Sequence, residues 1–229
     1  SRGVVQVSAY IDTLLASLLP TGAVTGLMNA QVLYTLPVSL FGMSVSAAEL
    51  PAMSGVAGDT AAHHEALRAR LVPALRRIAF FVVPSATAFL AFGDVIAAAI
   101  LQHGLFTPED ATYVWAILAG SAVGLLASTL GRLYSAAYFA MGDTRTPLVF
   151  AVMRLVLVTA LGYVAALMAP GWLGIDARWG AAGLTLSGGL SAWCEFALLR
   201  HTLNRRIGPT AVGAGRLARL WAAALPAAV

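Results

Sequence analysis

The stretch from Gly131 to Pro147, GRLYSAAYFAMGDTRTP, decides how the chain is interpreted. It sets Arg132 within an otherwise apolar helical pattern and then ends that pattern in a polar turn, Asp143 to Pro147. A charged side chain is costly inside a helix that lies in lipid, so it needs a partner, water or a ligand. The position of Arg132 therefore indicates a paired, hydrated or ligand-binding cation.

The composition indicates that the surrounding solvent is a lipid bilayer. Hydrophobic residues make up 59% of the chain and charged residues 10%, and the mean hydropathy is +0.82. A helix needs roughly 20 apolar residues to cross a hydrocarbon core about 30 Å thick. Six segments meet this requirement: 4–19, 28–52, 78–101, 112–140, 147–169 and 181–200. We therefore predict an all-α fold, a polytopic transmembrane helical bundle with a six-helix lobe in residues 1–200.

The remaining residues predict a loop and the start of a further helix. Residues 201–218 form a basic segment, expected to be a cytoplasmic loop, and residues 219–229 form a short apolar one. Eleven residues cannot cross a bilayer at about 1.5 Å per residue, and the chain begins without Met. We expect a fragment of a larger polytopic protein, and the first residues lack the signal-peptide pattern.

The distribution of arginine predicts the orientation of the chain. All 14 basic residues are Arg. With the N-terminus inside, eleven lie in or beside cytoplasmic segments, Arg178 alone lies outside, and Arg132 and Arg154 lie within spans. Such a bias is the positive-inside pattern. Because the charges follow the membrane boundaries, we expect no nucleic-acid partner.

Several other classes of function lack the residues that they need. Cys194 is the one cysteine of the chain, which excludes an internal disulfide and a cysteine metal site. His63-His64-Glu65 lacks the spacing of the zinc protease motif. An enzyme acting on prenyl phosphates would need an acidic metal cluster, or a nucleophile and a base at one depth, and the sequence offers neither. We predict a non-enzyme without cofactors, while metal binding stays undetermined.

Four ionisable residues within the spans are the functional candidates: Asp12, Arg132, Arg154 and Glu195. Counted along the helices from the cytoplasmic ends, their depths are about 15, 13, 10 and 8 Å. All four then fall in the inner half of the membrane, as expected for one water-accessible cavity open to the cytoplasm. The alternatives are that the arginines extend to lipid phosphates and that Glu195 pairs with Arg200.

Local patterns predict caps, bends and close packing. Thr107-Pro108-Glu109-Asp110 predicts a capping box at the start of the fourth span. Bends are expected in the second and third spans, at Pro37, Pro84 and Gly93. Close approach of a neighbouring helix is expected along one face of the fourth span, at Gly120, Gly124 and Gly131.

Four segments together carry a resemblance to a known family. The turn GDTRTP, residues 142–147, after a Tyr-Phe-Ala helix end resembles the MurJ/MviN family of lipid II flippases, in the multidrug/oligosaccharidyl-lipid/polysaccharide exporter superfamily. The other segments agree with the family in order: DTLLAS with LPTG, residues 12–17 and 19–22; LYTLPVSLFG with LPAMS, residues 33–42 and 50–54; and GLFT, residues 104–107. The resemblance covers nearly the whole chain.

The resemblance implies a place in a larger transporter. The chain would be the C-terminal six-helix lobe, spans seven to twelve of fourteen, and would enclose a cationic cavity together with the missing N-terminal lobe of the same chain. Alternating access would carry lipid II, the undecaprenyl-pyrophosphate-linked precursor of peptidoglycan, from the inner to the outer leaflet of the bacterial inner membrane. The implied partners are lipid II, membrane lipids and that other lobe.

The resemblance also implies which residues would contact the substrate. Guanidinium groups bind phosphate through forked hydrogen bonds and stay charged when desolvated. Arg132 stands where the family usually has Lys or Arg, and Arg154 is a second candidate. Arg145 lies in the turn at the expected cytoplasmic mouth. Gln31 can only hydrogen-bond, because AQVL stands here in place of the family's ADRL.

An ion-coupling role is expected for Asp12, assisted by Thr185 or Ser187, and for Glu195. The chain departs from the family in the fifth span, where Val158 and Gly162 replace polar residues. Arg154 and Glu195 suggest a relocated charge pair. Two further functions stay open, an exporter of another polyprenyl-linked glycan or an amphiphilic drug, and a non-transporting membrane scaffold.

Overall fold

The computed structural model describes residues 2–43, 61–102, 104, 106–210 and 219. Almost all of these residues are helical, and none of them lies in a strand. The prediction of an all-α helical bundle is confirmed for this part of the chain. The helices in chain order are α1 (Arg2–Ser17), α2 (Ala23–Pro37), α3 (Ala61–Leu101), α4 (Pro108–Val123), α5 (Leu125–Ala140), α6 (Arg145–Tyr163), α7 (Ala169–Leu173) and α8 (Gly180–Ile207).

Several helix bounds differ from the predicted spans, and α3 begins at Ala61, well before the predicted span 78–101. The predicted span 112–140 is not one straight helix, because α4 and α5 meet at Gly124 with a bend of 40°. Helix α8 continues to Ile207, so the first residues of the predicted loop 201–218 are helical. Residues 211–218 of that loop, the end of the second predicted span from residue 44, and residues 220–229 lie outside the described residues.

Length and hydropathy single out the helices that could cross a membrane. Within the described ranges they are Ala62–Leu101, Arg145–Leu173 and Ala177–Ile207, and the bent pair α4 and α5 adds a fourth. Helices α1 and α2 have 16 and 15 residues, and π-helical turns extend α2 over Val38–Met43 and α6 over Val164–Met168. The bounds of the six spans stay predictions.

The bend at Gly124 is built by contacts from α8. A Cβ atom at Gly124 would lie 3.2 Å from the carbonyl carbon and oxygen of Gly189, so the two backbones approach too closely for any side chain. The indole N–H of Trp193 donates to the carbonyl of Val123, 2.8 Å away, and satisfies an acceptor at the helix end. The prediction of close packing is thereby confirmed at Gly124. The same prediction is wrong at Gly131, since a Cβ atom there would meet open space.

The predicted cap is confirmed, and one predicted bend is located. Thr107 and Asp110 form a capping box, with the Asp110 N–H 3.2 Å from the Thr107 hydroxyl and the Thr107 N–H 2.8 Å from the Asp110 carboxylate. In α3 the helical geometry is lost at Phe92 (φ −128°, ψ 15°), next to Gly93. The indole N–H of Trp115 donates to the carbonyl of Leu90, 3.2 Å away, beside this bend.

Helix α5 lies at the centre of the bundle. Helix α8 packs against α4, α5 and α6, α3 packs against α4 and α5, and α1 packs against α6. Tyr134 and Tyr138 of α5 are fully enclosed by this core. On this otherwise buried helix, the exposed side chains are those of Arg132 and Phe139. The centre of the bundle therefore presents an arginine to open space.

Candidate functional site

A cavity of about 600 Å³ opens between α1, α2, α4, α5, α6 and α8. Its charged or amide-bearing lining residues are Asp12, Gln31, Arg132, Arg154 and Glu195. The four ionisable residues singled out in the spans thus share one cavity, although they come from four different helices. Among the described residues, Glu195 forms no ion pair with Arg200, the local partner that the sequence offered as an alternative.

Arg132 enters the cavity from α5. Among the described residues, no acidic side chain forms an ion pair with Arg132. Its neighbour Gly131 lines the same cavity and has no side chain to fill it. Ser128 and Ser135 stand one turn before and one turn after on the same face of α5. Arg132 therefore offers an uncompensated guanidinium, flanked by hydroxyl groups, to whatever enters the cavity.

Arg154 is neutralised by a partner on a different helix. Its Nη1 atom lies 3.0 Å from Oε2 of Glu195, and this ion pair joins α6 to α8. The Arg154 side chain is 35% exposed and the Glu195 side chain 13%. Arg154 also attracts the carboxylate of Asp12 on α1. The relocated charge pair that the sequence suggested is confirmed as a contact.

The remaining predicted residues lie at different distances from the cavity. Gln31 lines it and is exposed, and its amide N–H₂ reaches the Thr35 hydroxyl at 3.4 Å. Thr185 lines it too, although its hydroxyl donates to the backbone carbonyls of α4 and α8. Ser187 is buried, donates to the carbonyl of Leu184 at 2.6 Å and is not among the residues that line the cavity. Arg145 is exposed at the start of α6, outside the cavity.

Several polar lining residues were missed in the sequence. Tyr34 lies one turn after Gln31, and its hydroxyl is 2.9 Å from that of Ser128. Ser121 and Ser135 also line the cavity. The signal was helical spacing, because residues three, four and seven apart share one face of a helix. Applied to the run from Ser128 through Arg132 to Ser135, this rule predicts a polar strip on α5.

The charges of the described cavity lining balance. Among the described residues, two arginines and two carboxylates line the cavity, so their formal charges cancel when all four groups are ionised. Among the described residues, no group of three or more His, Cys, Asp or Glu side chains could hold a metal ion. The cavity is therefore an electrostatically mixed site in which one arginine is paired and the other is not.

A second cluster of charges, the turn cluster, lies outside the cavity, where α5 turns into α6. It comprises Tyr138, Asp143, Thr146, Thr202 and Arg206. We call this end of the bundle, which also carries Arg145 and Arg205, the arginine-rich end. Asp143 accepts hydrogen bonds from the Thr146 N–H at 2.9 Å, the Thr146 hydroxyl at 2.7 Å and Arg206 Nη1 at 2.6 Å. The guanidinium of Arg206 also lies 5.4 Å from the centre of the Tyr138 ring, whose hydroxyl is 2.6 Å from that of Thr202.

The hydrogen bonds of the turn cluster determine how Asp143 titrates. Partial burial acts to raise the pKa of the Asp143 carboxyl, but the bonds from Thr146 and Arg206 outweigh it and lower the pKa from 3.8 to about 2. Asp143 therefore stays ionised throughout the physiological range. The ion pair between Asp143 and Arg206 therefore links the turn that carries the family pattern to the end of α8 throughout this range.

Comparisons with known proteins agree with the resemblance in the sequence. A family model described as "Lipid II flippase MurJ" matches residues 1–229. A "Probable lipid II flippase MurJ" of Vibrio cholerae serotype O1 is 26% identical over 199 residues, which cover 87% of this chain and 36% of the relative. The "Lipid II flippase MurJ" of Burkholderia cenocepacia is 30% identical over 203 residues, covering 89% and 37%.

A solved structure has the same fold. It is titled "Lipid II flippase MurJ, inward closed conformation", and it superimposes with a TM-score of 0.79 at 21% identity, covering 98% of this chain and 44% of the other. At this identity the likeness shows the fold alone. The chain spans little more than a third of the length of the two curated relatives.

Proposed function

The chain belongs to the lipid II flippase MurJ family, and we propose that it forms one lobe of a transporter that moves lipid II from the inner to the outer leaflet of the bacterial inner membrane. The family is one of transporters, and the apolar helices make the chain a multi-pass membrane protein. In this proposal a second lobe of the same protein completes the cavity wall. The name shared by the family model and the relatives favours lipid II over another glycan or a drug.

The observation that carries the proposal is the unpaired guanidinium of Arg132 in the cavity. A lipid-linked precursor of this class presents a pyrophosphate, which carries several negative charges and many acceptor oxygens. Arginine binds such a group through forked, charge-assisted hydrogen bonds, and it remains charged in a site that excludes water. Ser128 and Ser135 on the same face can supply further donors to the same oxygens.

The other predicted substrate residues have lesser roles in the proposal. Gln31 would hydrogen-bond to the polar headgroup from α2, since its amide is exposed and lines the cavity. Arg145, exposed at the arginine-rich end, would meet the headgroup before it enters. In this proposal the arginine-rich end and the N-terminus of the chain lie on the cytoplasmic side, which is the orientation that the positive-inside pattern predicts.

The test of the main role is the substitution Arg132→Ala in the full-length protein. We expect lipid II translocation in reconstituted vesicles to fall about a hundredfold or more, because the cavity would lose the positive charge that no described carboxylate pairs with. Arg132→Lys keeps a point charge without the fork, and we expect intermediate activity. Normal translocation by a normally inserted Arg132→Ala protein would remove Arg132 from the mechanism and leave the proposal without its main support.

We also propose that Asp12 couples transport to an ion, by binding a cation or a proton on the α1 side of the cavity. Thr185 contributes its hydroxyl oxygen there, Glu195 contributes a second carboxylate, and Ser187 supports the backbone of α8 from its buried position. An Asp12→Asn protein should transport with a dependence on membrane potential and pH that is clearly weaker than in the wild type. An unchanged dependence, at unchanged expression, would exclude Asp12 as the coupling residue.

A further inference from the structure

We infer that Glu195 competes with the phosphate group of the ligand for the guanidinium of Arg154. Glu195 occupies this guanidinium until the ligand displaces it, and the displaced carboxylate then takes up a proton. The inference rests on the proposed function, because it concerns how an anionic ligand binds in the same cavity. It assigns to the cavity a proton-binding step that is linked to the binding of the anion.

The contact between Arg154 and Glu195 is of a kind that a ligand can replace. A guanidinium has five N–H donors, and Nη1 makes the one hydrogen bond to Glu195, at 3.0 Å. Among the described residues, no other side chain accepts a hydrogen bond from Arg154. With 35% of its side chain exposed, the guanidinium is accessible from the cavity. A phosphate group would use the same donor and could add a second, in the forked geometry that guanidinium groups form with phosphate.

The charges of the cavity lining favour replacement of Glu195 by the anion at Arg154 over addition of the anion to an unchanged cavity. The charged and titratable groups that face the cavity are Asp12 from α1, Tyr34 from α2, Arg132 from α5, Arg154 from α6 and Glu195 from α8. Helix α4 contributes Ser121 and no titratable group. A pyrophosphate that entered this neutral lining without other change would meet two carboxylates, each repelling it at short range.

Protonation of Glu195 relieves this repulsion. Once a phosphate group has taken Arg154, the Glu195 carboxylate stands partly buried, without its cation and beside a new negative charge. Both burial and the neighbouring anion favour the neutral form of a carboxylic acid. The proton comes from water, the carboxylate becomes a carboxylic acid, and the net charge of the lining rises by one unit to match the ligand.

The linkage between anion and proton is reciprocal. If binding the anion drives uptake of one proton, then lowering the pH must strengthen binding of the anion, by up to about tenfold per pH unit. Release of the anion on the other side of the membrane must return the proton there. Glu195 would in this way make loading and unloading of the cavity respond to the difference in pH across the membrane.

The experiment uses the full-length protein in detergent, with undecaprenyl pyrophosphate as the probe. Binding is titrated calorimetrically between pH 6 and pH 8 in buffers of different ionisation enthalpy, which counts the protons taken up per ligand. The wild type should take up about one proton more than Glu195→Gln. The variant should bind about tenfold more tightly at pH 8, because Arg154 is no longer held by a carboxylate, and this advantage should shrink as the pH falls.

Comparison with the variant separates the protein's proton from the probe's own titration, since that titration is common to both proteins. Glu109→Gln is the matched control: Glu109 is exposed in the first turn of α4, outside the cavity, and its loss should leave the proton count unchanged. An equal proton count in the wild type and in Glu195→Gln would overturn the inference. If Glu195→Gln does not fold, a wild-type count no larger than the probe's titration in buffer has the same meaning.

The outcomes also distinguish this inference from the proposed function. Binding that depends on Arg132 but has the same proton count with and without Glu195 would leave the proposed function standing and remove the proton step. No binding of the probe at any pH, or binding that Arg132→Ala leaves unchanged, would count against both.

Discussion

Two arginine–carboxylate pairs connect α8 to α6 and to the turn that precedes α6, and they are built in different ways. At the arginine-rich end, Arg206 of α8 meets Asp143 at 2.6 Å, and in the cavity Glu195 of α8 meets Arg154 at 3.0 Å. Asp143 accepts two further hydrogen bonds from Thr146. Among the described residues, Glu195 accepts from Arg154 alone. The same pair of functional groups thus forms a fixed joint in one place and an exchangeable contact in the other.

The surroundings explain why the two pairs differ. The carboxylate of Asp143 is enclosed by its own turn, because the N–H and hydroxyl of Thr146 point back at it in the manner of a helix cap. The guanidinium of Arg206 also packs against the face of the Tyr138 ring. Among the described residues that line the cavity, none gives Glu195 or Arg154 such an additional partner. The number of hydrogen-bond donors around each carboxylate therefore distinguishes the structural ion pair from the replaceable one.

The largest expected difference between the pairs is in stability. Asp143→Ala leaves three donors without their acceptor and releases the end of α8, so we expect it to lower the free energy of unfolding by about 2 kcal/mol. Glu195→Gln should lower it by less than about 1 kcal/mol, since an accessible pair contributes little. Thermal unfolding of the purified full-length protein, followed in detergent, measures both.

Two controls make the stability comparison interpretable. Asp143→Asn keeps an acceptor oxygen for Thr146 while it removes the charge, and its melting temperature should fall between those of the wild type and Asp143→Ala. Arg206→Ala tests the same joint from the other side. Equal losses of stability for Asp143→Ala and Glu195→Gln would show that the two pairs are equivalent, against the contrast drawn from their geometry.

The sequence predicted the position of the charged residues along the helices better than their partners. Helical rise assigns each residue a depth, and depth alone was enough to bring Asp12, Arg132, Arg154 and Glu195 to one level. The partner of Glu195 depends on how α6 and α8 face each other across the bundle, which no local pattern encodes. A residue on the same helix, Arg200, was therefore as reasonable a partner as Arg154.

Features that depend on a second helix could not be predicted from the first. The bend at Gly124 results from Gly189 and Trp193, both more than 60 residues away in sequence. Ser187 was grouped with Thr185 as a candidate of equal standing, but residues two apart on a helix point about 200° apart. Thr185 lines the cavity, and Ser187 is buried on another side of α8.

The pH dependence of stability gives a smaller effect that tests the turn cluster. The pKa of Asp143 is about 2 in the folded protein and 3.8 in its unperturbed form, so the ionised carboxylate stabilises the fold. For a lowered pKa, this contribution is fully present above about pH 4 and is lost as the pH falls from 3.8 towards 2. Because Arg206 is half-exposed and screened by solvent, we expect it to amount to about 1 kcal/mol.

The measurement is the difference in melting temperature between the wild type and Asp143→Asn, taken at intervals from pH 7 to pH 2.5. Subtracting the variant removes the titration of all other groups, which both proteins share. The difference should stay constant down to about pH 4 and then shrink, because the wild-type carboxylate becomes neutral like the amide. A difference that already vanishes near pH 6 would mean that the turn cluster does not hold Asp143 in its ionised form. The joint at the arginine-rich end would then be as replaceable as the pair in the cavity.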